Sequence, residues 1–295
     1  MSPKDLLLAF VVIAVWGVNF VVIKVGLHGL PPMLLGALRF LLSAFPAVFF
    51  VRRPAVPWPL FLAYGATISL GQLGLLFMAM YVGMPAGLAS LVLQSQAFFT
   101  LVFAALLLGE RWQPHNLLAL AIATIGLAVI GIQSQHAMPA AGFVLTLLAA
   151  SMWALGNVVM RRIGNVDLLG LVVWSSLIPP LPFIALSLWF EGPAQIWASV
   201  TQISAASVFA VAYLAFGATL LGCSLWGRLL MRYPAAQVAP FSLLVPIVGL
   251  STAALWLGEA LTLPQWLGAI LVMGGLLVNV LGRWLSDRLA HARRT

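Results

Sequence analysis

Of the 295 residues, 63% are hydrophobic and only 7% charged, and the mean hydropathy is +1.11. A soluble domain carries about a quarter charged residues, so this composition excludes one and leaves room, at ~20 apolar residues per crossing, for about ten membrane-spanning helices in a lipid bilayer. The net charge of +8 and pI near 10.8 do not point to nucleic acid, because the basic residues are spread singly over the breaks instead of clustering on a face.

Ten apolar segments follow one another, at roughly 5–26, 31–51, 58–81, 85–108, 115–133, 140–162, 168–189, 204–230, 235–257 and 263–284. Prolines punctuate the breaks, among them Pro31, Pro32, Pro85, Pro114, Pro139, Pro193, Pro234 and Pro264. Only 190–203, with Glu191, Gly192 and Pro193, is expected to be a loop of any length. Backbone groups in lipid must be satisfied within the segment, so each span is expected to be an α-helix.

The first segment continues past 20 residues with Asn19 inside it, which argues against a cleaved signal peptide despite Lys4 at its start. Trp16 and Asn19 share one helical face there, as Trp153 and Asn157 do in the sixth segment. An aromatic beside an amide suits either the wall of a cavity for a small polar solute or interhelical hydrogen bonding worth ~1 kcal/mol. Lys24, at the far end of the first helix, is expected at the interface. Arg39 is the outstanding charge within a span, at a cost of ~2.5–3.5 kcal/mol on the insertion scale. Either it faces a wet cavity and attracts a carboxylate, or it holds carbonyls between helices packed through Gly36 and Ser43.

In the fourth segment Gln94 and Gln96 point about 200° apart on an α-helix, so one is expected to line a pathway and the other to bond a neighbouring helix. In the eighth, Thr219, Cys223 and Trp226 form a face read as structural packing. The ninth is interrupted by Pro240 and Pro246 around Ser242. Interrupted spans in corresponding positions mark the site in many transporter folds, which places the expected site between the fourth and ninth helices.

Those two helices correspond because the chain repeats itself. Ala104-Ala105-Leu106-Leu107-Leu108-Gly109-Glu110 reappears as Ala253-Ala254-Leu255-Trp256-Leu257-Gly258-Glu259, 149 residues later (253 − 104), with six of seven positions identical. The same offset maps Pro85-Ala86 onto Pro234-Ala235 and Tyr64 onto Tyr213. The halves are taken as 1–134 and 135–295, each of five helices. With a cytoplasmic N-terminus, the cytoplasmic side holds Lys4, Arg52, Arg53, Arg111, Arg161, Arg162, Arg228, Arg232, Arg283, Arg288, Arg293 and Arg294, twelve of the fourteen basic residues. The positive-inside rule therefore favours N-in, C-in. Five is odd, so the halves insert in opposite directions and Glu110 and Glu259 fall on opposite membrane faces, where either marks an interface or serves as a gate or coupling site. Inverted repeats around a midplane site are the build of many secondary transporters.

No carboxylate is expected in mid-span: Asp5, Glu110, Asp167, Glu191, Glu259 and Asp287 all lie near boundaries. That disfavours an exporter specialised for cations. Neither lysine, Lys4 or Lys24, is followed by Ser or Thr, so no P-loop is present. The histidines at 28, 115, 136 and 291 and the single Cys223 form no ligand cluster. No metal or cofactor is expected, and a membrane-embedded enzyme is disfavoured.

The segments VWGVNFVVIKVGLHGLPP (15–32), LRF (38–40), GMPAGLASLVLQSQAFFT (83–100), LGER (108–111), SLLVPIVGL (242–250) and GEALT (258–262) give the chain a resemblance to the EamA-type family of the drug/metabolite transporter superfamily over its full length. The resemblance implies an all-α fold of ten transmembrane helices as two inverted five-helix repeats, in the bacterial inner membrane. It implies export of small metabolites by alternating access, with cysteine, O-acetylserine or related amino acids as the leading substrates; a broad drug or nucleobase exporter is the alternative within the family. Arg39, Trp16, Asn19, Gln94, Gln96, Trp153, Asn157 and Ser242 are the expected substrate-binding residues.

Overall fold

The protein is described here by a computed structural model covering residues 1–110, 112–132 and 139–292, without the side chains of 235, 236, 239 and 283–292. Arg111, His136, the expected break between halves at 134/135, and the side chains of Arg283, Asp287, Arg288, His291, Arg293 and Arg294 lie outside the described residues.

Among the described residues, ten helices are long and apolar enough to cross a membrane: Pro3–Gly29, Pro32–Phe49, Trp58–Tyr81, Ala86–Leu108, Pro114–Ile132, Ala140–Ile163, Leu168–Phe190, Ala205–Arg232, Pro240–Leu257 and Leu263–Gly282. They match the ten expected segments, and the ninth is already helical from Ala235. Helix starts follow local chemistry. Ser2 and Ser204 cap through their hydroxyls, Asp167 accepts from the backbone N–H groups of Leu169 and Gly170, and Pro85 and Pro139 stand just before their helices. The stretch 190–203 is not a plain loop: Pro193–Thr201 is a short helix started by that proline.

The internal repeat is visible as matching irregularities. The third span is π-helical over Gly65–Gln72 and the eighth over Tyr213–Leu221. The fourth has a 3-10 stretch at Leu93–Ser95 and the ninth at Ala239–Leu244. Gly109 (φ 70°) and Gly258 (φ 67°) both end their helices in the left-handed conformation that only glycine adopts without strain. Each pair sits at or close to the 149-residue offset of the sequence repeat.

The fifth and tenth spans pack tightly against each other through small residues. A Cβ on Gly126 would meet Gly268 O at 2.8 Å, and one on Gly275 would meet Ala119 O at the same distance. Asn116 Nδ2 donates to Asn279 Oδ1 across this pair at 2.9 Å. Contact of this kind is how helices associate where lipid removes the hydrophobic drive between them. The other eight spans surround the cavity.

Candidate functional site

The cavity has a volume of about 560 Å³, and its described lining residues come from every span except the fifth and tenth. That is within the ~300–1,000 Å³ of small-molecule sites. It reaches toward one end of the bundle: Leu168 is the first residue of the seventh span, Leu230 lies near the end of the eighth, and Met160 near the end of the sixth. The N-terminus shares that end, since Asp5 pairs with Arg232 at 3.0 Å and accepts from the Tyr233 hydroxyl at 2.8 Å.

The opposite end is closed by polar contacts. Glu259 accepts from the backbone N–H groups of Ala86 (2.8 Å) and Gly87 (2.9 Å), where the fourth span begins. Glu191 does the same for Met33 (2.6 Å) and Leu34 (3.2 Å) at the start of the second. Lys24 Nζ donates to Met80 O at 2.9 Å. Both glutamates join the second half of the chain to the first, and both place a carboxylate at the positive end of a helix.

All eight residues expected to bind substrate line this one cavity: Trp16, Asn19, Arg39, Gln94, Gln96, Trp153, Asn157 and Ser242. Arg39 is the one charged side chain among the described lining residues. It is 6% exposed, donates to Thr219 Oγ1 from Nε (3.3 Å) and Nη2 (3.0 Å), and leaves Nη1 without a partner. The rings of Phe40 and Phe77 lie 5.7 and 5.9 Å from its guanidinium carbon. Asn19, 9% exposed, has an unpartnered Oδ1. Buried polar groups are nearly always satisfied, and an orphan costs ~1–3 kcal/mol or more if charged. One donor and one acceptor on side chains that line the cavity are thus left unpartnered.

The remaining polar groups hold the wall. Trp16 Nε1 donates to Ala218 O at 3.0 Å, and its ring lies 5.3 Å from that of Trp226. Asn157 Nδ2 donates to Gln96 Oε1 (2.8 Å) and Thr100 Oγ1 (3.1 Å), and Gln94 Nε2 reaches Ser242 O at 3.5 Å.

Three expectations need correcting. Gln94 and Gln96 both line the cavity and both bond a neighbouring helix. The 3-10 stretch at Leu93–Ser95 turns ~120° per residue and rotates the two glutamines closer than an α-helix would. The cavity extends beyond the space between the fourth and ninth helices, which form only part of its wall. Thr219, Cys223 and Trp226 are lining residues and not mere packing, with Thr219 presented by the π-helical stretch and holding Arg39. Glu110 and Glu259 do not appear in the lining; Glu110 forms an ion pair with Arg161.

Sequence reasoning missed Tyr64, Ser69 and Gln72 on the third span and Ser175 and Ser176 on the seventh. A signal existed for the latter, because Pro179-Pro180 breaks that span just beyond the serines. For the third span, nothing in the residue pattern foretold the π-helical turns that carry Ser69 and Gln72.

The EamA-like transporter family is matched twice along the chain, over residues 4–132 and 140–281. The chain belongs to that family. It is therefore a transporter, built from a duplicated unit, and a multi-pass inner-membrane protein. A "Probable amino-acid metabolite efflux pump" of Salmonella typhimurium is 53% identical over 289 residues, 96% of each chain. A protein of the same description from Escherichia coli K12 is 51% identical over 292 residues, 96% of this chain and 97% of the relative. A "Probable terminal-alkyne amino-acid exporter" of Streptantibioticus cattleyicolor is 29% identical, covering 92% of each. A solved crystal structure with 21% identity covers 98% of this chain and 99% of its own, with a TM-score of 0.63, and has the same fold.

Proposed function

We propose that this transporter exports small amino-acid metabolites, with cysteine and O-acetylserine as leading candidates, and that the Arg39 cavity is its binding site. The observation that carries this reading is the buried guanidinium with a free Nη1 in a cavity whose described lining contains no carboxylate. Such a site suits the carboxylate of a zwitterion or anion and offers no counter-charge to a cation. Arg39 would hold the substrate carboxylate and Asn19 Oδ1 its ammonium group, with Trp16, Trp153, Gln94, Gln96, Asn157 and Ser242 enclosing the rest. The names of the relatives at 53% and 51% identity support the same substrate class.

Both termini would lie in the cytoplasm, as the arginine distribution favours. The open end of the cavity, which carries the N-terminus, then faces the cytoplasm, as a state that loads substrate for export must. The halves 1–134 and 135–295 would rock about the cavity to open it to the other side. Counterflow in proteoliposomes with labelled cysteine, O-acetylserine and other amino acids tests the reading. Saturable flux for at least one of them is expected, and its absence for every one would refute the substrate class.

A further inference from the structure

The repeated Ala-Ala-Leu-x-Leu-Gly-Glu stretch ends in Gly-Glu in both halves, and the two glutamates have different partners. Glu259 accepts from Ala86 and Gly87 N–H at the closed end of the bundle. At the 149-residue offset, Ala86 and Gly87 correspond to Ala235 and Ala236, and Glu259 corresponds to Glu110. Glu110 at the open end pairs instead with Arg161, whose neighbour Arg162 donates to Leu107 O at 3.0 Å.

The cation completes the correspondence. Arg161 stands eight residues after Trp153, as Lys24 stands eight after Trp16. Lys24 shares the closed end of the bundle with Glu259, and there its Nζ donates to Met80 O at 2.9 Å. Each glutamate thus has the same two candidate partners: a cation on the leading helix of one half, and the backbone N–H groups that open the fourth or ninth helical run. In the observed state one glutamate holds its helix cap and the other its cation.

We propose that Glu259 and Glu110 are alternating gate latches. When the bundle closes at its N-terminal end, Glu110 leaves Arg161 for the backbone N–H groups of Ala235 and Ala236, and Glu259 leaves Ala86 and Gly87 for Lys24. A carboxylate at a helix start is stabilised by the helix dipole and by charge-assisted hydrogen bonds. Each latch therefore favours the state in which its own end is shut, and the two near-identical latches keep the two states close in energy. Alternating access needs that balance, because a site locked to one face does not turn over. The duplicated Ala-Ala-Leu-x-Leu-Gly-Glu stretch supplies both from one ancestral unit, with Gly109 and Gly258 turning the chain so that the glutamate follows directly.

The inference rests on the alternating-access part of the proposed function and not on the substrate. The single cysteine of the chain is its reporter, since Cys223 lines the cavity. A membrane-impermeant maleimide applied to inside-out or right-side-out vesicles labels Cys223 from the cytoplasmic or the outer side. The ratio of the two rates reads which end is open. Glu259→Gln is expected to shift the ratio about tenfold toward the outer side and Glu110→Gln about tenfold toward the cytoplasmic side, each equivalent to about 1.4 kcal/mol. Arg161→Gln frees Glu110 without altering either cap and is expected to shift the ratio in the direction of Glu259→Gln; it carries the test if a glutamate variant fails to fold. Shifts of the two glutamate variants in the same direction, or no shift in either, would overturn the proposal. Labelling needs no substrate, so absence of amino-acid flux with opposite labelling shifts would refute the substrate reading and leave the latches standing.

Discussion

Replacing Arg39 by methionine separates a binding role from a structural one, because the two move stability and transport differently. The substitution keeps an unbranched side chain of similar reach and removes the one charge among the described lining residues. If Nη1 holds the substrate carboxylate, its loss removes a charged hydrogen bond worth ~1.5–3 kcal/mol, and half-saturation should rise about 10- to 150-fold. Stability should not follow. Thr219 loses the donor from Arg39 but keeps its own bond to Leu214 O at 2.8 Å, so its hydroxyl is not left unpaired. Removing a charge that costs ~2.5–3.5 kcal/mol on the insertion scale offsets the two lost bonds. The variant is therefore expected to melt at or above the wild type while the half-saturation of its counterflow in proteoliposomes rises about 10- to 150-fold. A variant that melts well below wild type, or that transports with unchanged half-saturation, would refute the assignment and make Arg39 a strut between the second and eighth spans.

Other sites give independent checks. Gly222→Ala puts a Cβ 2.4 Å from Trp16 Nε1, so the ring must shift and its bond to Ala218 O is disturbed; half-saturation should rise several-fold in the same flux assay, and an overpacking cost of ~1–3 kcal/mol should lower the melting temperature. Asn157→Ala removes two hydrogen bonds to the fourth span, and a loss of ~1–2 kcal/mol in substrate binding should appear as about a tenfold rise in half-saturation. Gly126→Leu overpacks the contact of the fifth span with the tenth, far from the cavity lining. A cost of ~1–3 kcal/mol should lower the melting temperature and leave half-saturation unchanged in the protein that remains folded. Glu191→Gln weakens the cap on the second helix, and a loss of ~1 kcal/mol should be read by thermal melting.

The parts of the fold that hydrophobicity alone specifies were legible in the sequence. Each span is an apolar run between prolines, and boundaries such as 58–81 agree with Trp58–Tyr81. The short helix Pro193–Thr201 was hidden because it is only nine residues long, too short to stand out as a span, and Gly192 and Pro193 at its start read as a turn. Polar residues within spans were a sound guide to the cavity, since an amide or guanidinium in lipid needs a partner or a wet face. That is why Trp16, Asn19, Arg39 and Asn157 were found. Their rotation was less readable. Gln94 and Gln96 were separated by assuming 100° per residue, and the 3-10 stretch at Leu93–Ser95 breaks that assumption without a proline to announce it. Thr219 was assigned to packing for a related reason, because its π-helical turn turns it onto Arg39. Glu191 lay too far from the second span in sequence, with Met33 and Glu191 158 residues apart, for its capping role to be inferred.

Protection of Cys223 by substrate tests most directly whether an amino-acid metabolite occupies the Arg39 cavity. Maleimide labelling of this residue would be timed in inside-out vesicles with and without O-acetylserine, which carries no thiol to compete for the reagent. Saturating O-acetylserine, or whichever thiol-free amino acid shows counterflow, is expected to slow labelling at least fivefold. Its methyl ester, which lacks the carboxylate, should not protect, and protection should vanish in Arg39→Met. An unchanged labelling rate under conditions of saturable flux would contradict the account.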